Sequence, residues 1–287
     1  MRNPGKFSSG VAGWERAGIK GGDRLRCRVG LRLSLFLGAC ALYTGYHSHH
    51  VYSDEGSALL PVLTMLVLYL PAAGATVRWL GGGLAMRLLG ALAVAAVVLE
   101  SVAVLTGVPY GEFSYGDGLG PKILGVTPWT VGLVWPVLVL GALAVASRMN
   151  RRPSLLALSI ALFVVFDLVI DPGAVALGLW AWSSPGAYFG VPLSNYLGWA
   201  VAGGLGALVI VAVLGPDRSR FQKIPSQLAL AALLHILFFA AVCLAHDRFA
   251  PSILGLSVVA ASAIALTLRR STVEIPPRLQ PGHQRSQ

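Results

Sequence analysis

The chain alternates between long apolar runs and short polar segments. Eight of these runs approach the roughly 17 to 25 residues that a helix needs to cross the hydrocarbon core of a bilayer. In chain order they are Leu31 to Tyr46, Leu59 to Val77, Leu88 to Thr106, Ile123 to Ala146, Ser154 to Ile170, Gly190 to Leu214, Ser226 to Ala245 and Pro251 to Leu268. We therefore predict an all-α fold, a polytopic bundle of about eight transmembrane helices.

Composition and positive charge agree with this prediction. Hydrophobic residues make up 55% of the chain and charged residues 12%, whereas soluble domains carry roughly 25% charged residues. Lys and Arg of short loops stay on the cytoplasmic side. With eight spans and a cytoplasmic N-terminus, only Lys122 and Arg248 of the 22 basic residues face outward. We thus predict that both termini are cytoplasmic, and the net charge of +10 then reflects topology in the lipid bilayer rather than nucleic-acid binding.

The domain organisation follows from the same pattern. Residues 31–270 form the predicted transmembrane domain. Residues 1–30 are basic and weakly periodic, and residues 271–287 have a similar composition. Both end segments are predicted to be disordered cytoplasmic tails, because they offer too little apolar surface to form a core.

Carboxyl groups inside the predicted spans are candidate functional groups, because polar side chains are costly in a membrane. Glu100 lies about 9 Å from the outer end of the third span, at 1.5 Å per residue. Asp167 and Asp171 are four residues apart on the fifth span and share one face. The alternative is that these carboxyls only hold helices together. His235, in the seventh span, either faces a cavity or bonds to a neighbour.

Two outer loops carry unusual sequences for a membrane protein. The stretch from Glu100 to Lys122 is rich in Gly and Tyr, and Gly-Val-Pro occurs twice, at Gly107 to Pro109 and at Gly190 to Pro192. Irregular backbone at membrane depth must line a protein cavity rather than face lipid. We expect these two loops to fold back as similar caps over the helix ends.

These motifs resemble the integral-membrane carotenoid 1,2-hydratases. The resemblance rests on GVPYGEFSYGDGLGPK at 107–122, on Phe166-Asp167 and Asp171-Pro172, on Trp180-Ala-Trp182, and on YFGVPLSNYLGW at 188–199. It covers Leu59 to Leu268. The family includes bacterial lycopene and γ-carotene 1'-hydratases and the haloarchaeal bisanhydrobacterioruberin hydratase, so the resemblance implies a multi-pass protein of a prokaryotic cell membrane.

The resemblance implies that water adds across the terminal C1=C2 bond of an acyclic carotenoid and leaves a tertiary 1-hydroxyl group. Such a reaction requires an acid that protonates C2, a brief tertiary cation at C1, and a positioned water molecule. The partners are then the acyclic carotenoid and water. We expect no cofactor and no metal, because the chain's own residue types meet these demands. A metal-bound diphosphate substrate is disfavoured, because the paired aspartates lack the second acidic motif and the cations that it requires.

The residue types suggest how these tasks are divided. A carboxyl among apolar side chains keeps its proton, as a general acid requires, which makes Asp167, Asp171 and Glu100 the acid and base candidates. Aromatic faces stabilise a cation by about 0.5 to 2 kcal/mol each. The predicted substrate-binding residues are Trp180, Trp182, Tyr188, Trp199, Tyr110 and Tyr115, with Ser194 and Asn195 positioning the water. Glu112, Asp117 and Lys122 are predicted to shape the loop.

Two other classes share these features. A proton-coupled transporter also places carboxyls at helix breaks. A membrane lycopene cyclase begins with the same protonation but captures the cation with an alkene. The mass of the product separates them, because hydration adds one water, cyclisation leaves the mass unchanged, and transport leaves the pigment as it was.

Overall fold

The computed structural model describes residues 32–48, 59–149, 154–215 and 218–272. Both predicted tails lie outside this part of the chain, except for residues 271 and 272, which end the last helix. The helices in chain order are α1 (residues 32–46), α2 (Leu59–Leu80), α3 (Gly82–Thr106), α4 (Val131–Met149), α5 (Leu155–Ala176), α6 (Leu193–Leu214), the short α7 (Arg218–Gln222), α8 (Ser226–Ala245) and α9 (Phe249–Thr272).

The prediction of an all-α polytopic bundle is confirmed. Within the described residues, seven helices are long and apolar enough to cross a membrane, namely α2 to α6, α8 and α9. They coincide with seven of the eight predicted spans, and the first predicted span falls on α1. The cytoplasmic location of the termini stays a prediction.

Two helices form the centre of the bundle. In α4 and α8, 72% and 78% of the spanning residues are buried, against 17% to 44% in the other five. They approach closely at Gly141 of α4, where a side chain would collide with Ala232 of α8. Small residues permit such contacts, and packing rather than a hydrophobic driving force holds helices together in lipid. The remaining helices surround this pair and turn apolar side chains such as Met86 and Val94 outward.

One end of the bundle carries two long connections, residues 107–130 and residues 177–192. They contain the short strands β1 (Phe113–Tyr115), β2 (Lys122–Ile123), β3 (Thr127–Pro128) and β4 (Trp180–Trp182). β2 pairs with β3 inside the first connection, whereas β1 pairs antiparallel with β4 of the second. The two connections therefore form one joint structure, here called the cap, rather than two similar caps.

Three predicted helix limits were wrong by six residues or more. The third span was predicted to begin at Leu88, but α3 begins at Gly82. The fourth span was predicted to begin at Ile123, but the β2–β3 hairpin occupies that segment and turns through Gly125, which has a φ of 74°. The fifth span was predicted to end at Ile170, yet α5 continues to Ala176. Apolar composition alone does not distinguish a buried hairpin from a helix start.

The extension of α5 passes through Pro172. Proline has no backbone N–H, so the carbonyl four residues earlier, at Leu168, loses its helical donor. The Tyr188 hydroxyl donates a hydrogen bond to that carbonyl at 3.2 Å. Because α5 does not stop at residue 170, Asp171 lies about 7.5 Å inside the helix end, at 1.5 Å per residue.

Candidate active site

A cavity of about 90 Å³ lies beneath the cap and between the helices. Its walls are mostly apolar and aromatic, and its ionisable wall groups include Glu100 of α3, Asp171 of α5 and His235 of α8. About 10 to 15 Å³ of such cavity volume is enough for one water molecule. The cavity therefore has room for several waters or for the branched end of a hydrocarbon chain.

The two aspartates of α5 form one cluster with Asn195 of α6. Asp167 is 0% exposed, and Asp171 and Asn195 are each 2% exposed. The Asn195 Nδ2 atom donates to Asp167 Oδ2 at 2.9 Å and also to Asp171 Oδ2. Because both Oδ2 atoms bond to the same nitrogen, the two carboxyls lie close together, whereas Asp167 Oδ1 has no partner among the described residues. Asp171 reaches the cavity wall, whereas Asp167 lies behind it.

Glu100 reaches the same cavity from α3. It is 5% exposed, and the Tyr115 hydroxyl donates to its Oε2 atom at 2.8 Å. Tyr110 also lies beside this carboxyl. Burial raises the pKa of both phenols well above the usual range, and the negative charge of Glu100 raises each pKa further. Both phenols therefore remain protonated and can serve as hydrogen-bond donors.

The β1–β4 pair builds an aromatic roof over the cavity. Its register places Phe113 opposite Trp182 and Tyr115 opposite Trp180. The ring centroids of these pairs are 6.0 Å apart in both cases. Because side chains alternate along a strand, all four rings lie on one face, and all four line the cavity.

The Tyr110 carbonyl joins the two connections of the cap through Trp182 and fastens the cap to α6 through Ser194. Trp182 Nε1 donates to this oxygen at 3.1 Å, and Ser194 Oγ donates to it at 3.3 Å. The Tyr110 ring packs directly on Gly198, where a side chain would collide with it. These contacts fix the position of Tyr110, which is 2% exposed.

The predicted loop-shaping residues lie outside the cavity wall. Lys122 Nζ pairs with Asp117 Oδ1 at 3.2 Å and also donates to the Tyr115 carbonyl at 2.8 Å, which holds the strand that carries Tyr115. Glu112 has an exposed side chain, and its backbone carbonyl accepts a hydrogen bond from the Ser183 N–H at 2.9 Å.

The structure brings most of the predicted site residues together. Those that line the cavity are Glu100, Tyr110, Tyr115, Asp171, Trp180, Trp182, Asn195 and Trp199. Asp167 does not line the cavity but contacts its wall through Asp171 and Asn195. Tyr188 and Ser194 do not line it either and bond to backbone carbonyls. The other residues outside the wall are Glu112, Asp117 and Lys122. Tyr188 and Ser194 thus lie outside the cavity wall, and their predicted contact with substrate or water stays a prediction.

Sequence reasoning missed several wall residues, including Met65, Trp135, Leu138 and Phe239. They are apolar residues in apolar helices, so no local signal distinguishes them from lipid-facing neighbours. The β1–β4 pair did have a signal, because Phe-Ser-Tyr and Trp-Ala-Trp alternate with the period of a strand. His235, whose orientation the sequence left open, faces the cavity. Among the described residues, no group of three or more His, Cys, Asp or Glu is arranged to hold a metal ion.

Fold and site together define a multi-pass membrane protein with buried carboxyls in an apolar cavity under an aromatic cap. The sequence profile of the family described as "Carotenoid biosynthesis protein" matches residues 56–262, and the chain belongs to this family. A segment of 130 residues is 40% identical to a bisanhydrobacterioruberin hydratase of Haloarcula japonica. The match covers 44% of this chain and 43% of that relative, less than half of either protein. No solved structure matches the chain.

Proposed function

We propose that this protein is a carotenoid hydratase, which adds water across the terminal C1=C2 bond of an acyclic carotenoid and forms a tertiary alcohol. One observation carries the proposal: Glu100 and Asp171 project into an otherwise apolar and aromatic cavity of a carotenoid biosynthesis protein. Protonation of an alkene requires an acid, which a carboxyl group provides, and aromatic faces stabilise the cation that results. The similarity to a named hydratase supports the same reaction.

Asp171 is the proposed acid. It touches the cavity, whereas Asp167 lies behind it. Two carboxyls in contact within an apolar interior hold one proton between them, because both cannot ionise at such a distance. Asn195 donates to both carboxyls and keeps the pair in place. The proton moves from Asp171 to C2 of the substrate, and Asp167 stabilises the arrangement through the shared hydrogen bonds.

The cation that forms at C1 lies among aromatic rings. Trp180, Trp182 and Trp199 line the cavity, and each ring face stabilises a cation by about 0.5 to 2 kcal/mol. The carboxylate left on Asp171 and the nearby Glu100 supply negative charge to the same space. Low polarity in the remaining wall makes this electrostatic stabilisation stronger than it would be in water.

The proposed substrate is a long acyclic carotenoid of the lycopene, γ-carotene or bisanhydrobacterioruberin type in a prokaryotic cell membrane. Its branched end occupies the cavity. The polyene rod, comparable in length with the roughly 30 Å hydrocarbon core, lies between the helices and the lipid. The proposed chemistry uses the protein's own side chains and water.

Expression of the chain in a host that accumulates lycopene tests this proposal. A pigment heavier by one water is expected with the intact chain and not with an empty vector. An isomer of unchanged mass would instead indicate a cyclase. Unaltered pigment, with the protein present in the membrane, would contradict the proposed function and leave a transporter as the alternative.

The proposal places the cap on the outer face of the membrane, as the distribution of basic residues predicts. In a variant without native cysteines, Asp117→Cys in the cap and Ser219→Cys in α7 at the opposite end form a matched pair of exposed positions. A membrane-impermeant thiol reagent added to intact cells is expected to label Asp117→Cys alone. Labelling of Ser219→Cys alone would show the reverse orientation.

A further inference from the structure

His235 is a buried ionisable residue that the proposed acid step does not use. It lies in α8, is 4% exposed and lines the cavity. Its Nδ1 atom is 3.0 Å from the carbonyl oxygen of Ala231. A carbonyl oxygen can only accept a hydrogen bond, so Nδ1 carries the hydrogen and the neutral ring has its lone pair on Nε2.

The Nε2 atom has no hydrogen-bond partner among the described residues. The indole Nε1 of Trp135, on the neighbouring helix α4, is also buried without a partner in this part of the chain, and Trp135 lines the same cavity. Buried polar atoms in proteins are normally paired, with protein groups or with ordered water. One atom here is an acceptor and the other a donor, and a water molecule can satisfy both kinds of group.

The carboxyls of the cavity wall differ from His235 because each already has a protein donor, although a carboxylate can accept further hydrogen bonds. Glu100 accepts from Tyr115, and Asp171 accepts from Asn195. These contacts come from the cap and from α6, whereas His235 enters from α8 on a different wall. The acid and an acceptor for water are thus carried by separate helices around one cavity.

We propose that His235 binds the attacking water through Nε2 and takes its proton, which makes it a catalytic residue of the hydration. This inference rests on the proposed function. The Asp171 O–H bond breaks as the C2–H bond forms, and the water oxygen then bonds to C1. One water O–H bond breaks as Nε2–H forms. The imidazolium returns this proton to the aspartate pair through cavity water, so the cycle consumes only alkene and water.

The role of His235 is tested by measuring protonation of the alkene and capture of water separately. Membranes that contain wild-type protein or His235→Ala are incubated with lycopene in deuterium oxide. A cation that is not captured by water loses a proton or deuteron again, and this places deuterium in the recovered alkene. For His235→Ala we expect hydration to fall about 100-fold, the lower end of general acid–base contributions, while deuterium appears in the unhydrated pigment.

Matched variants distinguish chemistry from folding. His235→Gln retains a polar acceptor of similar length and is expected to hydrate faster than His235→Ala, and added imidazole is expected to restore hydration in His235→Ala. If the alanine variant fails to accumulate in the membrane, the ratio of deuteration to hydration is measured in His235→Gln. Wild-type hydration in His235→Ala would overturn the proposal, and so would loss of deuterium exchange together with hydration. Failure of the proposed function is a separate result, in which the wild-type protein itself yields no heavier pigment.

Discussion

The two sides of the cavity differ in how their polar groups are paired. On the side formed by α3, α5 and the cap, Glu100 receives a hydrogen bond from Tyr115, and Asp171 receives one from Asn195. On the side formed by α4 and α8, Trp135 Nε1 and His235 Nε2 have no partner among the described residues. On the carboxyl side, Tyr110 Oη and Asp167 Oδ1 also lack a partner among the described residues, so the difference concerns the groups themselves: protein donors hold Glu100 and Asp171, whereas His235 Nε2 keeps its accepting capacity for a ligand.

This contrast suggests a division of the reaction into two parts. Groups that are already oriented need no rearrangement when charge develops, which is the condition under which electrostatic stabilisation is most effective. The side that carries Glu100 and Asp171 suits proton delivery, and the side that carries His235 suits water capture. Hydration and deuterium exchange into recovered pigment report on these parts separately, so each of the following variants is judged by both measurements.

Asp171→Asn is expected to have the largest effect. Asparagine keeps the size of the side chain but has no proton to deliver to C2. Hydration and deuterium exchange should fall together, by about 100-fold to 10,000-fold, the usual contribution of a general acid. Asp117→Asn, at an exposed position of the cap, is the matched control and should remain active. Normal hydration in a well-expressed Asp171→Asn would disprove the assignment of the acid.

Asp167→Asn should lower both rates by less, since Asp167 does not reach the cavity wall. The variant removes the carboxyl that shares a proton with Asp171 but leaves the acid itself in place. A reduction of about tenfold corresponds to the loss of one hydrogen bond that involves a charged group. The rates are measured in the same membranes as those of Asp171→Asn. A larger loss in Asp167→Asn than in Asp171→Asn would reverse the two roles.

Glu100→Gln removes negative charge from the cavity while Tyr115 can still donate to the amide oxygen. We expect hydration to fall by about tenfold, because about 1.5 kcal/mol, the lower end of the range for hydrogen bonds to charged groups, corresponds to roughly this factor. Glu112→Gln, at an exposed position, provides the control for a Glu-to-Gln change in the same region. An equal decrease of hydration in Glu100→Gln and Glu112→Gln would show that Glu100 acts only through the overall charge of this region.

Tyr115→Phe is expected to have the smallest effect of the series. It deletes the 2.8 Å hydrogen bond to Glu100 and leaves the aromatic ring against Trp180. A net contribution of about 0.5 to 1 kcal/mol for one hydrogen bond predicts a two- to fivefold decrease in hydration. A greater loss than in Glu100→Gln would mean that the Tyr115 hydroxyl contacts the reacting groups itself.

The helices were the most predictable part of the molecule. Ser226 to Ala245 was predicted with the limits that α8 has in the structure, because an apolar run bounded by polar residues determines a span on its own. The start of α4 was wrong because the apolar residues of the β2–β3 hairpin continue the run. Where α5 continues through Pro172, the Leu168 carbonyl is paired by Tyr188, which comes from another part of the chain.

The site was predictable where a residue type is unusual in its surroundings. Glu100, Asp171 and Asn195 stand out as polar groups in or beside apolar spans, and all three line the cavity. Trp135 and Phe239 do not stand out, because helix packing alone turns them inward. The roles of Tyr188 and Ser194 as donors to backbone carbonyls depend on tertiary contacts between distant segments, which a single sequence does not reveal.

The most direct measurement is the origin of the new oxygen atom. Membranes that contain the protein are incubated with lycopene in oxygen-18 water under an atmosphere free of molecular oxygen, and the pigment is analysed by mass spectrometry. The account predicts a pigment heavier by one water that carries the heavy oxygen, and no such pigment with Asp171→Asn. A hydroxylated pigment that forms only with molecular oxygen, or a pigment of unchanged mass, would contradict it.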